Sequence, residues 1–249
     1  MSKEKVFSPD SYRTSENKGF EEIDDLIAIY NKSNEGDVDV ETEINNYILS
    51  NQWLKNAIKK VGKGTVTEVG PYKGTFLQTL SQQFSQHLQD AFVLGIDAGH
   101  YEIGPIAVPH KETSFENLIQ ADRNQILHAE SISNSPNEET SIWQLKDSNN
   151  SYALYGVPAE LALARGAKAD LMILKFVMGY LLEYQTIKTL EYSLFSKAKS
   201  IFMIDYVGKT HYTKTQIPRP ETIARYMPGM EVIYEQHQKH FILFAAPSL

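Results

Sequence analysis

With 249 residues, 42% of them hydrophobic and no cysteine, the chain is long enough to bury one full α/β core, and it excludes a disulfide framework and thiolate metal sites. Its net charge of −7 disfavours a sequence-independent binder of the phosphate backbone, which needs an excess of lysine and arginine on one face, so no nucleic-acid partner is expected. There is no apolar run of about eighteen residues, and the opening MSKEKVFSPDSYRTSENKG is polar, so neither a membrane span nor a signal peptide is expected and the expected compartment is the cytoplasm.

The first helical pattern is GFEEIDDLIAIY, where Phe20, Ile23, Leu26, Ile27 and Tyr30 share one face. The second is INNYILSNQWLKNAIKKVG, read as one helix with Ile44, Tyr47, Ile48, Leu54, Ile58 and Val61 on its apolar face, closed by Lys59, Lys60 and Gly62. From Thr65 onward strand-like and helix-like segments alternate, which is the pattern of a parallel sheet with crossover helices. The strands are TVTEV at 65–69, AFVLGID at 91–97, QILHAES at 125–131, ADLMILKF at 169–176 and SIFMIDYV at 200–207. Phe76, Leu77, Leu80 and Phe84 mark the helix after the first strand, and Val177, Leu181, Tyr184, Ile187 and Leu194 the helix after the fourth. Residues 132–156 hold two alternating runs around Asp147-Ser148-Asn149-Asn150 and predict a β-hairpin inserted into the third crossover. The chain ends in MEVIYEQHQKHFILFAAPSL, two strands joined by a link too short for a parallel crossover, which must therefore pair antiparallel. The expected fold is α/β, a doubly wound, seven-stranded, mostly parallel sheet. A helical extension over 1–60 precedes a domain over 61–249.

Ligands of such sheets bind beyond the carboxyl ends of the strands. Here the first strand turns into its helix through Glu68-Val69-Gly70-Pro71-Tyr72-Lys73-Gly74, with Gly70 and Gly74 where the backbone must bend sharply. Counted from Gly70, a dinucleotide fingerprint would need glycine where Tyr72 and Thr75 stand, and no Gly-Lys-Ser/Thr follows for a phosphate loop. The seven histidines form no zinc pattern and are expected mostly at the surface; no metal site is expected. Tyr180, Tyr184 and Tyr192 are read as half-buried packing, and no Gly-x-Ser-x-Gly elbow supports a hydrolase.

The pattern acidic-x-Gly-x-x-x-Gly closing a first strand resembles the cofactor motif of the class I S-adenosylmethionine-dependent methyltransferases. The resemblance covers residues 60–249 and implies a Rossmann-like sheet with its last strand antiparallel. It implies S-adenosylmethionine as cofactor, held by Glu68, Gly70, Tyr72 and Gly74 at the turn. Asp97, closing the second strand, corresponds to the acid that takes the ribose hydroxyls, and a carboxylate suits a diol because it can accept both hydrogen bonds. Glu130, closing the third, corresponds to a side chain near the adenine. Residues 1–60 correspond to an extension used as a lid. Two positions depart from the family. Tyr72 stands at its usual middle glycine, so either the side chain points away over the cofactor or the pocket is altered. The fourth strand ends Leu174-Lys175-Phe176 rather than in the Asn/Asp-Pro-Pro-Tyr/Phe of base-directed amino-methyltransferases, which disfavours a nucleic-acid base as acceptor.

The expected function is methyl transfer to a small-molecule acceptor enclosed by the N-terminal helices and the 132–156 segment. A protein acceptor is the alternative, and a non-catalytic scaffold marked by Tyr72 is the reading from another class. The polar segment after the fifth strand, 205–214, leaves the ligand-binding edge and is expected to line the acceptor side, with His211 as general base and Tyr206 beside it.

Overall fold

The structure is a computed structural model that describes residues 38–99, 106–109, 141–146, 148–209, 215–227, 229–237 and 240–247. The helical pattern at 20–30, the strand expected at 125–131, Glu130 and His211 lie outside the described residues.

The helix expected over 44–61 is two: α1, Val38–Ser50, and α2, Gln52–Val61. Asn51 divides them, because its side-chain oxygen accepts from the amides of Trp53 (2.9 Å) and Leu54 (3.2 Å) and so caps a new helix. Ile48, Leu49, Leu54 and Ile58 are fully buried against the sheet. These helices pack onto the sheet as a layer of the core.

The chain continues through β1 (Thr65–Val69), α3 (Thr75–Gln83), α4 (Ser85–Leu88), β2 (Phe92–Asp97), β3 (Ala107–Pro109), β4 (Ser141–Leu145) and β5 (Ser151–Tyr155). Then come α5 (Ala159–Ala164), β6 (Ala169–Lys175), α6 (Met178–Tyr184), α7 (Ile187–Ser193) and β7 (Ala198–Tyr206). A small antiparallel pair, β8 (Gly208–Lys209) with β9 (Gln216–Ile217), precedes α8 (Pro220–Ala224), β10 (Met230–His237) and β11 (His240–Pro247).

The main sheet has nine strands in the order β10-β11-β7-β6-β1-β2-β5-β4-β3, where seven were expected. From β7 to β5 every pairing is parallel; β11 and β4 run the other way. The strands beyond those expected are β3, at 107–109, and two from the 132–156 region. Its hairpin forms as β4 and β5, but β5 is an integral strand that pairs in parallel with β2 from Val93↔Ser151 to Asp97↔Tyr155. The place beside β2 expected for QILHAES thus belongs to SYALY, whose residues are buried except for a half-buried Tyr152.

Parallel strands covered on both faces read as continuous apolar runs, and β1 is buried at all five positions. One face carries Val66, Phe76, Leu80, Leu171, Ile173 and Phe202 under α1–α4; the other carries Met172, Leu174, Leu190, Leu194, Ile201 and Met203 under α5–α8. The sheet is doubly wound. The helix expected after β6 breaks before Thr186, whose hydroxyl accepts from Thr189 N and caps α7. Tyr180, Tyr184 and Tyr192 consequently fall on two short helices and are 50%, 85% and 63% exposed, where half-buried packing was expected. Among the described residues no helix is long and apolar enough to cross a membrane.

From β1 the strand order runs outward through β2 to β5 and then returns to β6 on the other side of β1. The carboxyl ends of β1 and β6 therefore flank a topological switch point, where a crevice opens in sheets of this kind.

Candidate functional site

At that switch point β1 delivers Glu68, on the same face as Val66 and level with Ile173 of β6. Its carboxylate is fully buried, and neither oxygen has a hydrogen-bond partner. Burial pushes its pKa up to about 7; Lys175 opposes the rise, while Asp97 and Glu41 add to it. Leaving such a group unsatisfied costs about 1–3 kcal/mol or more.

The turn beyond Glu68 is built of left-handed residues: Gly70 (φ 72°), Tyr72 (φ 50°) and Gly74 (φ 74°). Gly70 cannot be replaced quietly. A Cβ there would lie 2.8 Å from Val177 Cγ2, so the backbone of this turn packs directly against the Val177 side chain of the turn after β6. Gly95 plays the matching part in β2, where a Cβ would meet Leu77 Cδ1 and Pro71 Cγ.

Tyr72 stands at the departure noted in the sequence. It contributes its backbone: its N–H donates to Asp97 Oδ2 (3.2 Å), and its carbonyl accepts from the hydroxyl of buried Tyr155 (2.7 Å). Its ring is 40% exposed, with Lys73 Nζ 5.3 Å from the centroid. The left-handed backbone of Tyr72 is held by these two hydrogen bonds, while its side chain leaves the turn for the surface.

Asp97 closes β2, and its Oδ1 accepts from Gly99 N at 2.8 Å. Each oxygen takes one backbone donor, which orients the carboxylate and leaves lone pairs for a further donor. The end of β5 braces the same corner, with Val157 N donating to Asp97 O at 3.1 Å and Gly156 N to Gly99 O at 2.9 Å.

α1 packs against this corner. Thr75 donates its hydroxyl to Glu41 Oε1. Lys175, at the end of β6, donates to Asn45 Oδ1 (3.1 Å), and its Nζ lies 4.9 Å from the Phe76 ring centroid. Asn45 is only 1% exposed, and its Nδ2 has no hydrogen-bond partner.

Beyond β6, Phe176 is the other left-handed non-glycine residue among those described (φ 53°). The bend is clamped by buried Asp205, which accepts from Met178 N (2.8 Å) and Tyr206 N (2.7 Å). Burial pushes the Asp205 pKa up to about 7 against the pull of backbone donors at Met178, Tyr206 and Val177. The clamp holds Val177 against Gly70. Tyr206, last residue of β7, stands between Phe176 (ring centroids 5.3 Å) and His240 (4.6 Å). His240 is 6% exposed, so at least this histidine is not at the surface.

The structure thus brings Glu68, Gly70, Tyr72, Gly74 and Asp97 together at one corner. Tyr206 lies two strands away, on the same edge of the sheet. Asn45, Lys175 and His240 were not singled out from the sequence as site residues, and Asp205 entered only as the first residue of the 205–214 segment. Lys175 carried a signal, a cation closing an otherwise apolar strand; the others did not. Among the described residues no group of three His, Cys, Asp or Glu side chains could hold a metal ion.

No protein-family model matches the sequence, and no curated protein matches it. Solved structures do show a likeness. The magnesium protoporphyrin IX methyltransferase of Synechocystis PCC 6803 with bound SAM is 14% identical, with a TM-score of 0.44 over 92% of this chain and 93% of its own. The 16S rRNA (adenine(1408)-N(1))-methyltransferase of Catenulisporales acidiphilia, also with SAM, is 12% identical, with a TM-score of 0.41 over 79% of this chain and 89% of its own. Monomeric WbdD is 13% identical, with a TM-score of 0.44 over 79% of this chain; the match spans 41% of the WbdD chain.

Proposed function

We propose that the chain binds S-adenosylmethionine at the carboxyl ends of β1 and β2 and transfers its methyl group to a small-molecule acceptor. The observation that carries this reading is the buried, hydrogen-bond-free carboxylate of Glu68 beside a left-handed glycine turn at the switch point of the sheet. The residues present fit the group. Glu68 offers two acceptors for an ammonium, Asp97 offers its remaining lone pairs to a ribose diol, and Gly70 and Gly74 let the backbone lie close to a ligand. Glu130 is proposed to lie near the adenine.

When bound, the cofactor supplies a methyl group activated on a sulfonium. The chain's part is placement: methyl transfer depends on an in-line approach in a dry site, with a general base only when the nucleophile arrives protonated. Asp205 fixes the bend after β6 and with it the wall opposite Gly70, and α1 closes the crevice from above. Tyr206 is assigned to the acceptor side because it ends β7 on the ligand-binding edge, with His211 beyond it as the base. The enclosing helices and the net charge of −7 favour a compact acceptor over a nucleic acid.

Titration calorimetry with S-adenosylmethionine and S-adenosylhomocysteine tests the cofactor, and saturable binding well below millimolar concentration is expected. Absence of binding at millimolar cofactor leaves the chain a scaffold of this fold. Incubation with labelled cofactor and metabolite pools then tests the acceptor class. Loss of turnover in Tyr206→Phe and His211→Ala at unchanged cofactor affinity is the expected signature of the acceptor side.

A further inference from the structure

Three rings meet where β6, β7 and β11 reach the ligand-binding edge of the sheet: Phe176 just beyond β6, Tyr206 ending β7 and His240 opening β11. The centroids of Phe176 and Tyr206 are 5.3 Å apart with their planes inclined by 42°, and those of Tyr206 and His240 are 4.6 Å apart, inclined by 52°. Strand register makes the row continuous, because His240 pairs directly opposite Tyr206. His240 is buried, whereas Phe176 and Tyr206 are half-buried, so two of the three rings keep accessible surface.

Phe176 holds its ring there on a left-handed backbone, φ 53°, a strained conformation for a residue with a side chain and one that glycine would take freely. Such strain persists only where the surroundings over-determine it. Here they do. Phe176 N donates to Ile204 O at 2.9 Å, and Asp205 takes the amides of Met178 and Tyr206 at 2.8 and 2.7 Å, so the bend is pinned to the end of β7. The next residue, Val177, packs against Gly70, which sets the row of rings one residue from the turn assigned to the cofactor.

Rings inclined or offset at these separations favour a further aromatic ring over a saturated one of equal apolar area, because the negative face of one ring attracts the positive edge of another. A polyol would need a fan of donors and acceptors, and the row carries polar atoms on Tyr206 and His240 alone. A nucleobase is also flat, but the net charge of −7 disfavours the strand that carries it.

Resting on the cofactor reading above, we propose that Phe176 and Tyr206, backed by His240, form the wall of an acceptor site for a phenol, a planar ring whose hydroxyl receives the methyl group. In that transfer the methyl carbon–sulfur bond breaks and leaves its electron pair on sulfur. A bond forms from the methyl carbon to the phenol oxygen, and the phenol proton passes to solvent. Phe176 and Tyr206 are thereby specificity residues for the ring of the acceptor.

The test is calorimetry on the full chain saturated with S-adenosylhomocysteine, titrated with 2-naphthol and with decahydro-2-naphthol, which has the same carbon frame and hydroxyl but no aromatic ring. The wild type should bind 2-naphthol roughly threefold to tenfold more tightly. Phe176→Leu and Tyr206→Leu should erase that preference, while Tyr206→Phe, which keeps the ring, should retain it. The comparison of the two ligands on the wild type needs no variant to fold. With labelled S-adenosylmethionine, label should pass to 2-naphthol as its methyl ether, and faster transfer to decahydro-2-naphthol would overturn the assignment. Equal affinity for the two ligands overturns the aromatic site and leaves the cofactor reading standing; failure to bind S-adenosylhomocysteine overturns both. Adenosine binding as tightly as 2-naphthol to the saturated chain would assign the rings to a nucleobase and overturn the phenol.

Discussion

Glu68 and Asp205 are two carboxyls held by burial near a pKa of about 7, against ordinary values of 4.5 and 3.8. In each case the folded chain keeps a proton at pH values where the unfolded chain has released it. Their contribution to stability is therefore complete below the unfolded values and is lost as pH rises through about 7. The thermal midpoint of the ligand-free protein should fall between about pH 4 and pH 7 from these groups and level off above. Glu68→Gln should flatten that slope and stabilise the protein above pH 7 by up to roughly 3 kcal/mol, one pKa unit being about 1.4 kcal/mol. Identical slopes in the variant and the wild type would show that Glu68 does not titrate there. Ligand binding carries the opposite sign: an ammonium needs the ionised carboxylate, so cofactor affinity should weaken as pH drops below about 7. At Asp97 the effect is on affinity. Asp97→Ala removes the partner of Tyr72 N and Gly99 N as well as the proposed ribose contact, and should weaken cofactor binding by about 1.5–3 kcal/mol. Unchanged affinity by calorimetry would remove Asp97 from the site.

Among the elements, the two turns at the switch point behave as one unit. Gly70 leans on Val177, and Val177 is fixed by the amides that Asp205 receives. Gly70→Ala combines a left-handed backbone with a contact of 2.8 Å and should cost about 1–3 kcal/mol of stability, read as a shifted urea midpoint, with cofactor binding lost. A fully stable, binding-competent Gly70→Ala would show that the two turns can part. Asn51 makes a simpler case. It separates α1 from α2 by capping the second, so Asn51→Ala should destabilise by about 1 kcal/mol without touching the ligand. Periodicity alone did not reveal this break, because the apolar stripe of 44–61 runs through it undisturbed. The same is true of Thr186, where the cap splits what reads as one helix and turns Tyr184 and Tyr192 out to solvent.

For the whole molecule, a helical layer with Ile48, Leu49, Leu54 and Ile58 fully buried should not open as a lid does. Amides of Trp53–Val61 should exchange as slowly in the ligand-free protein as those of β1, and rapid exchange that slows only on ligand binding would restore the lid expected from the sequence. Local sequence determined the class of fold. Each of β1, β2, β6 and β7 is legible from an apolar run, since a strand covered on both faces must be apolar throughout, and the terminal hairpin from the shortness of its link. The turn from Glu68 to Gly74 and the acid closing β2 are also legible, because their order along the chain follows from the geometry of a strand passing into a helix. Which strand lies beside β2 was decided by tertiary structure. Apolar alternation says which face a residue takes and nothing about its neighbour, so SYALY was read as an insertion although it completes the sheet. The cluster of Asn45, Glu68 and Lys175 was decided in the same way. Its members come from a helix and two strands far apart in the chain, and the register of β1 with β6 under α1 brings them together.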